Sequence, residues 1–220
     1  TITPAWTIEG NWAHELKENG NYEGQVSNFV PSAGVEQFPE LFDKARNFPE
    51  GRLQDYERDL VRLWTIYNLD FHQGGALSLS LLGQYHSPLT YSLVATAVPL
   101  TPEQMALDPG YAAPPRNQTV YFGSRGSQEF KAWTTVDVAA LYSVPIFRSL
   151  SPYLKVDVRN VLNNRTLIGW DSTVTPDPNS PKDTLGLPTG FIKASSFGTA
   201  RSNSDYPIPR EYRFSVGIRF

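Results

Sequence analysis

Glu211-Tyr212-Arg213-Phe214-Ser215-Val216-Gly217-Ile218-Arg219-Phe220 decides how the chain is read. Every even position is apolar or aromatic, and every odd one is polar, charged or Gly. Side chains of a strand point alternately to opposite faces, so this stretch is a strand with one greasy and one wet side. Ala132 to Val144 repeats the pattern, with Val136, Val138, Ala140, Tyr142 and Val144 opposite Thr135, Asp137 and Ser143. Residues 76–86 do so again, with Leu77, Leu79, Leu81 and Tyr85 alternating with Ser78, Ser80, Gln84 and His86.

Three less regular strands complete the set. Leu60 to Phe71 sets Val61, Leu63, Tyr67, Leu69 and Phe71 against Arg62, Asn68 and Asp70. Tyr153 to Val158 sets Leu154, Val156 and Val158 against Lys155, Asp157 and Arg159, and the phase slips near Asn160-Val161, as at a bulge or a strand's exit from its sheet. Residues 4–13 place Trp6, Ile8 and Trp12 together, opposite Thr7, Glu9 and Asn11. The chain therefore predicts about six strands, with one short helical region inside Phe38 to Asn47.

The connections alternate in length. His72-Gln73-Gly74-Gly75 and Phe147-Arg148-Ser149-Leu150-Ser151 read as tight turns, whereas 15–58, 93–130 and 173–209 are long. In an antiparallel meander, alternate connections emerge at opposite ends, so one end carries only turns and the other all the long loops. Transmembrane barrels show this asymmetry, together with strands that alternate apolar outside and polar inside. Asp137 and Arg159 are expected as diagonal neighbours on the inner face, which Arg213 and Arg219 share. Trp6, Trp12, Tyr85, Tyr91, Tyr142, Tyr153, Tyr212 and Phe220 lie near strand ends, where interfacial aromatic girdles sit.

Composition narrows the classes. In 220 residues, 19 Lys+Arg stand against 22 Asp+Glu, a net charge of −3 with no basic block, which argues against a nucleic-acid partner. Cys is 0, which removes disulfides, thiolate metal sites and cysteine nucleophiles. No apolar run reaches the ~18 residues of a membrane-spanning helix. The chain opens on Thr1 without a targeting segment, so a fragment or processed piece is the expectation.

No enzyme constellation stands out, and none is expected. His14, His72 and His86 lie on separate elements without metal-ligand spacing. Gly123-Ser124-Arg125-Gly126-Ser127 lacks the spacing of a nucleophile elbow. Asp171, Asp177, Asp183 and Asp205 lack the close spacing and turn glycine of a calcium loop and read as a solvated outer loop, and no cofactor is expected. The three long loops, aromatic-rich and of mixed charge, suit ligand capture, with no ligand residue singled out.

The terminal strand resembles the C-terminal signal of bacterial outer-membrane barrels, in which Tyr212, Phe214, Val216, Ile218 and Phe220 would be read by the barrel-assembly machinery. More of the chain resembles the C-terminal barrel portion of a TonB-dependent receptor, of the Oar-like group. The stretches that carry this are Gly20-Asn21-Tyr22-Glu23-Gly24, Gly51-Arg52-Leu53-Gln54-Asp55-Tyr56-Glu57-Arg58, Gly83 to Tyr91, Leu154 to Asn164 and the last strand, although Asp55 to Arg58 and Pro88 depart from the group's pattern.

The resemblance implies the bacterial outer membrane, a periplasmic C-terminus, a barrel of about 22 strands, and a plug through which the TonB complex drives uptake of a bulky nutrient. Residues 1–220 would then form six strands of the wall and three extracellular loops. Their partners would be lipid, the remaining strands, the plug and a surface substrate-binding protein. The rival readings are a soluble or surface β-sandwich that binds glycan or protein, and a small outer-membrane barrel adhesin.

Overall fold

The computed structural model describes residues 3–21, 38, 40–54, 56–107, 110–146 and 150–220. The predicted antiparallel all-β meander is present. Its strands are β1 (Trp6–His14), β2 (Asp59–Asp70), β3 (Ala76–His86), β4 (Trp133–Ser143), β5 (Ser151–Arg159) and β6 (Glu211–Arg219). They lie in one sheet in chain order, so every neighbour is the next strand along the chain. Among the described residues the sheet does not close on itself, and no strand lies beside the outer edges of β1 and β6.

The short connections behave as their sequences require. His72–Gly74 forms one 3-10 turn between β2 and β3, and Gly75 leaves it at φ 102. A Cβ on Gly75 would sit 2.3 Å from the Ser143 carbonyl oxygen, so only glycine lets the turn approach the end of β4. In the β4–β5 connection, Val144 donates to the Pro152 carbonyl at 3.1 Å and Ile146 to that of Leu150 at 3.0 Å. Phe147, Arg148 and Ser149 of that predicted turn lie outside the described residues, as do Tyr22 to Gly24 and Asp55 of the stretches above. Near Asn160 the phase slips as expected: β5 ends at Arg159, Asn160 stands at φ 45, and Val161 donates to the Val136 carbonyl at 2.7 Å, one residue out of register as at a bulge.

The core is not in the sheet. The buried hydrophobic side chains among the described residues are Leu41, Phe42, Leu53, Tyr56, Ala95, Val120, Tyr121, Val174 and Leu187, all in the long connections. These connections carry structure of their own. Helix α1 (Lys44–Asn47) lies within the predicted helical region, capped by Asp43, whose side chain accepts the Ala45 N–H at 2.8 Å. Helix α2 (Pro102–Ala106), which the periodicity did not suggest, is started by a Thr101–Gln104 capping box with Pro at its first turn. Short antiparallel pairs join 94–99 to 117–121 and 174–176 to 191–193. The six strands are thus a bare sheet, and the long connections fold together at one end of it.

Candidate functional site

The sheet has two unlike faces. On one face lie Trp6, Ile8 and Trp12 of β1, Val61 to Leu69 of β2 at odd positions, Leu77 to Tyr85 of β3, Val136 to Tyr142 of β4, Leu154 to Val158 of β5, and Tyr212, Phe214, Val216 and Ile218 of β6. Among the described residues, the only acidic or basic groups on this face are His14 and Asp59 at its loop end, bonded to each other at 2.7 Å, with Trp12 Nε1 donating to the same carboxylate at 2.8 Å. The polar atoms of Thr65 are consumed within the face, since it accepts from Trp6 Nε1 at 2.8 Å and donates to the Thr7 carbonyl at 2.9 Å. The face is nevertheless open: Phe214 is 70%, Val216 79% and Phe220 92% exposed.

Aromatic residues rim this face, and their slant is informative. The hydrogen-bond ladder carries Trp6 through Tyr67, Leu79, Ala140 and Val156 to Phe214, and Ile8 through Thr65, Leu81, Val138 and Val158 to Tyr212. The rims do not follow these rungs. At the turn end the rim runs from Trp6 to Phe220, past Phe214; at the loop end it runs from Trp12 to Tyr212, whose own rung starts at Ile8. Both rims slip in the same sense, by about one residue per strand, which at ~3.4 Å rise and ~4.8 Å spacing inclines the strands by roughly 35° to the normal of the rims. Transmembrane barrels tilt their strands by about 35–45°.

Two residues expected in the rims are elsewhere. Tyr91 has left the sheet and packs on Phe130 and Trp170, with centroids 4.6 and 5.8 Å away. Tyr153 stands on the opposite face, because it pairs with Gly217, an odd position of β6.

That opposite face is hydrophilic and ion-paired along β5 and β6. Lys155 meets Asp157 at 2.7 Å, and Glu211 receives Arg159 at 3.5 Å and Arg213 at 3.4 Å. Asp137 and Arg159 are neighbours on this face, directly opposite and not diagonal, and each has its own partner: Asp137 accepts the Asn160 N–H at 2.8 Å, while Arg159 turns to Glu211. Across β2 to β4 this face is mixed, with Trp64, Leu82 and Leu141 beside Arg62, Ser80 and Gln84. Arg219 stands 5.1 Å over the Tyr153 ring.

The long connections 15–58, 93–130 and 173–209 meet at the loop end, where residues the sequence did not single out do the fastening. Arg46 of α1 donates to Asp183 at 2.5 Å, to the Pro188 carbonyl at 2.7 Å and to the Tyr121 carbonyl at 3.3 Å, and lies 5.6 Å over the Phe122 ring. Beneath it a ladder of buried amides runs from Asn47 to Gln118 at 2.9 Å and from Gln104 to Gln118 at 3.0 Å, with Gln104 donating to the Leu41 carbonyl at 2.7 Å. Only the capping pattern at Thr101 to Gln104 could have flagged any of these from sequence.

The carboxylates of the last connection shape its turns and are not a free solvated cluster. Asp177 accepts the Asn179 N–H at 2.9 Å, and Asp183 accepts those of Leu185 at 3.0 Å and Leu187 at 2.9 Å. Hydrogen bonds from Ser196 and Thr173 hold the Asp171 carboxyl down at about 2. The Arg201 guanidinium and the Arg201 and Ser202 backbone N–H groups hold buried Asp205 below the usual range against the cost of its burial. Of the histidines, His14 bonds Asp59, His86 bonds Glu57 at 2.8 Å and stacks on Trp133 at 3.8 Å, and His72 sits in the first turn. Tyr212, Phe214, Val216 and Ile218 occupy one face of β6, with Phe220 one residue beyond it. Compared with family models, curated proteins and solved structures, the chain has no match.

Proposed function

We propose that this chain forms six strands of the barrel wall of an outer-membrane receptor of the TonB-dependent type. In this reading the uncharged face lies against lipid and the ion-paired face lines the lumen. The folded connections stand outside the cell, where they would receive a bulky nutrient whose uptake is driven through a plug. The chain itself catalyses no covalent reaction.

The observation that carries this reading is the uncharged face bounded by two aromatic rims that slant together. Its exposed apolar side chains, from Trp12 through Leu63 and Leu81 to Phe214 and Ile218, span all six strands. Soluble proteins rarely leave apolar patches above a few hundred Å² uncovered. The height of the band also fits: Tyr212 to Phe220 at ~3.4 Å per residue, inclined roughly 35°, spans about 22 Å, close to the ~25 Å apolar band of outer-membrane barrels. The other face carries charges that a dry core would exclude and a wet or protein-filled lumen accepts. Unpaired edges in lipid cost several kcal/mol per group, so β1 and β6 need neighbouring strands, assigned here to the same polypeptide.

The test is the mass and location of the natural polypeptide, detected in heated, detergent-solubilised outer membranes with an antibody to residues 173–209. A membrane band several-fold heavier than the 24.6 kDa of this chain supports the receptor. A membrane band near that mass points to the small barrel. A band near that mass in the soluble fraction overturns the membrane reading and promotes the sandwich.

A further inference from the structure

We infer that Asn160 is a clasp that sets the register of β6 against β5. The apolar side chains of β6 occupy its even positions and the polar ones its odd positions, so a slip by two residues leaves both faces intact. A tight turn between the strands would fix the register, but their connection runs from 160 to 210.

Asn160 closes that excursion where it starts. It is 1% exposed, and its amide nitrogen donates to the Ile208 carbonyl at 2.9 Å and to the Asn164 carbonyl at 3.0 Å. Its amide oxygen accepts the Asn164 N–H at 2.9 Å. The bond to Ile208 reaches the far end of the connection, just before β6 begins at Glu211. Pro207 and Pro209 flank Ile208 and stiffen the approach, so holding this carbonyl places Glu211 opposite Arg159. The clasp is anchored in turn to β4, where Asp137 accepts the Asn160 N–H at 2.8 Å and the Thr134 carbonyl accepts the Asn164 amide at 2.8 Å. Asparagine suits the position, because it tolerates φ 45 and carries two side-chain donors that aspartate lacks.

The charges agree with the clasped register, which sets Glu211 opposite Arg159 and Arg213 opposite Asp157. A slip of two in one direction would set Arg213 opposite Arg159. In the other it would set Glu211 opposite Asp157 and Arg213 opposite Lys155. Like charges directly opposed are unfavourable. These groups are partly exposed and screened, which makes them weak selectors, whereas the Asn160 bonds are buried and directional.

Cys is 0 in this chain, so cysteine pairs placed in it within the full-length protein read the register directly. Lys155→Cys with Ser215→Cys reports the clasped register, while Asp157→Cys with Ser215→Cys and Lys155→Cys with Arg213→Cys report the two slips. A disulfide needs the close approach that opposed residues have and diagonal ones lack. With Asn160 present, the first pair should oxidise fastest. Asn160→Gly tolerates the positive φ but removes the side chain, and should raise oxidation of the slipped pairs by roughly tenfold. Unchanged oxidation of all three pairs in Asn160→Gly overturns the clasp. If that variant does not fold, an insertion decides: two glycines after exposed Pro178 lengthen the connection and spare the clasp, and the first pair should still oxidise fastest. Transfer of oxidation to a slipped pair would mean that the length of the connection, and not Asn160, sets the register.

Discussion

Tyr153 lies over Gly217 across the last strand pair, so closely that a Cβ on Gly217 would sit 2.6 Å from its phenol ring, and the Arg219 guanidinium stands 5.1 Å over the same ring. Glycine in a strand weakens it, because the backbone is freer and no side chain packs. Here the neighbouring tyrosine covers the gap. The stack ties β6 to β5 on the hydrophilic face, while Val216 and Ile218 project from the other.

Gly217→Val should therefore destabilise the folded protein by about 1–3 kcal/mol, the usual penalty of overpacking. Combining it with Tyr153→Ala should recover part of that loss, because the clash is pairwise. Urea titration of the folded fraction in vesicles would show the recovery. Strictly additive effects would mean that the ring does not depend on the bare backbone at Gly217.

Leu81 and Leu82 are chain neighbours that the register sends to opposite faces, Leu81 beside Val138 and Leu82 beside Asp137. Leu81→Arg places a charge in the apolar band and should cost about 2–4 kcal/mol in a bilayer. Leu82→Arg faces the hydrophilic side and should cost well under half as much. The same vesicle titration measures both, and equal penalties would contradict the assignment of the faces.

The last connection should be acid-resistant to a defined limit. The Asp171 carboxyl is held at about 2, against an ordinary 3.8, by the Ser196 and Thr173 hydrogen bonds. Between those values the unfolded segment binds the proton and the folded one does not. Its contribution is therefore present in full above pH 3.8 and is lost as pH falls toward about 2. Asp205, also held low, adds in the same direction. Protease cutting within 160–210 should stay slow down to about pH 4 and rise below it, and Asp171→Asn should speed cutting at neutral pH. Acid protection of the segment would reverse the sign and refute the assignment.

The sheet was legible because period-two alternation is a local property: Val136 to Tyr142 and Tyr212 to Phe220 announce their faces without reference to any partner. Loop length then fixed the order of the ends. Parity also held the clue that Tyr153 is not a rim residue, since it is in phase with Lys155 and Asp157, but its place at a strand end outweighed that. Arg46 and Asp183 lie too far apart in the chain for any spacing rule to join them, and buried amides such as Gln104 and Gln118 look like surface residues in a sequence. Strands of two or three residues, such as Phe191–Lys193, are too short to show a period.

In the proposed barrel wall, one face of this sheet meets hydrocarbon and the other does not. With Cys at 0, single cysteines can be placed cleanly. Nitroxides at Leu79, Leu81, Val138 and Ala140, and at Ser78, Ser80, Ala139 and Leu141, in the full-length protein in bilayers would report collisions with oxygen and with a water-soluble nickel chelate. Period-two alternation is expected, with the first set reached by oxygen and shielded from nickel and the second set never in that class. Nickel access at Leu81 and Val138 equal to that at Ser80 and Ala139, or a protein that does not enter bilayers at all, would contradict it.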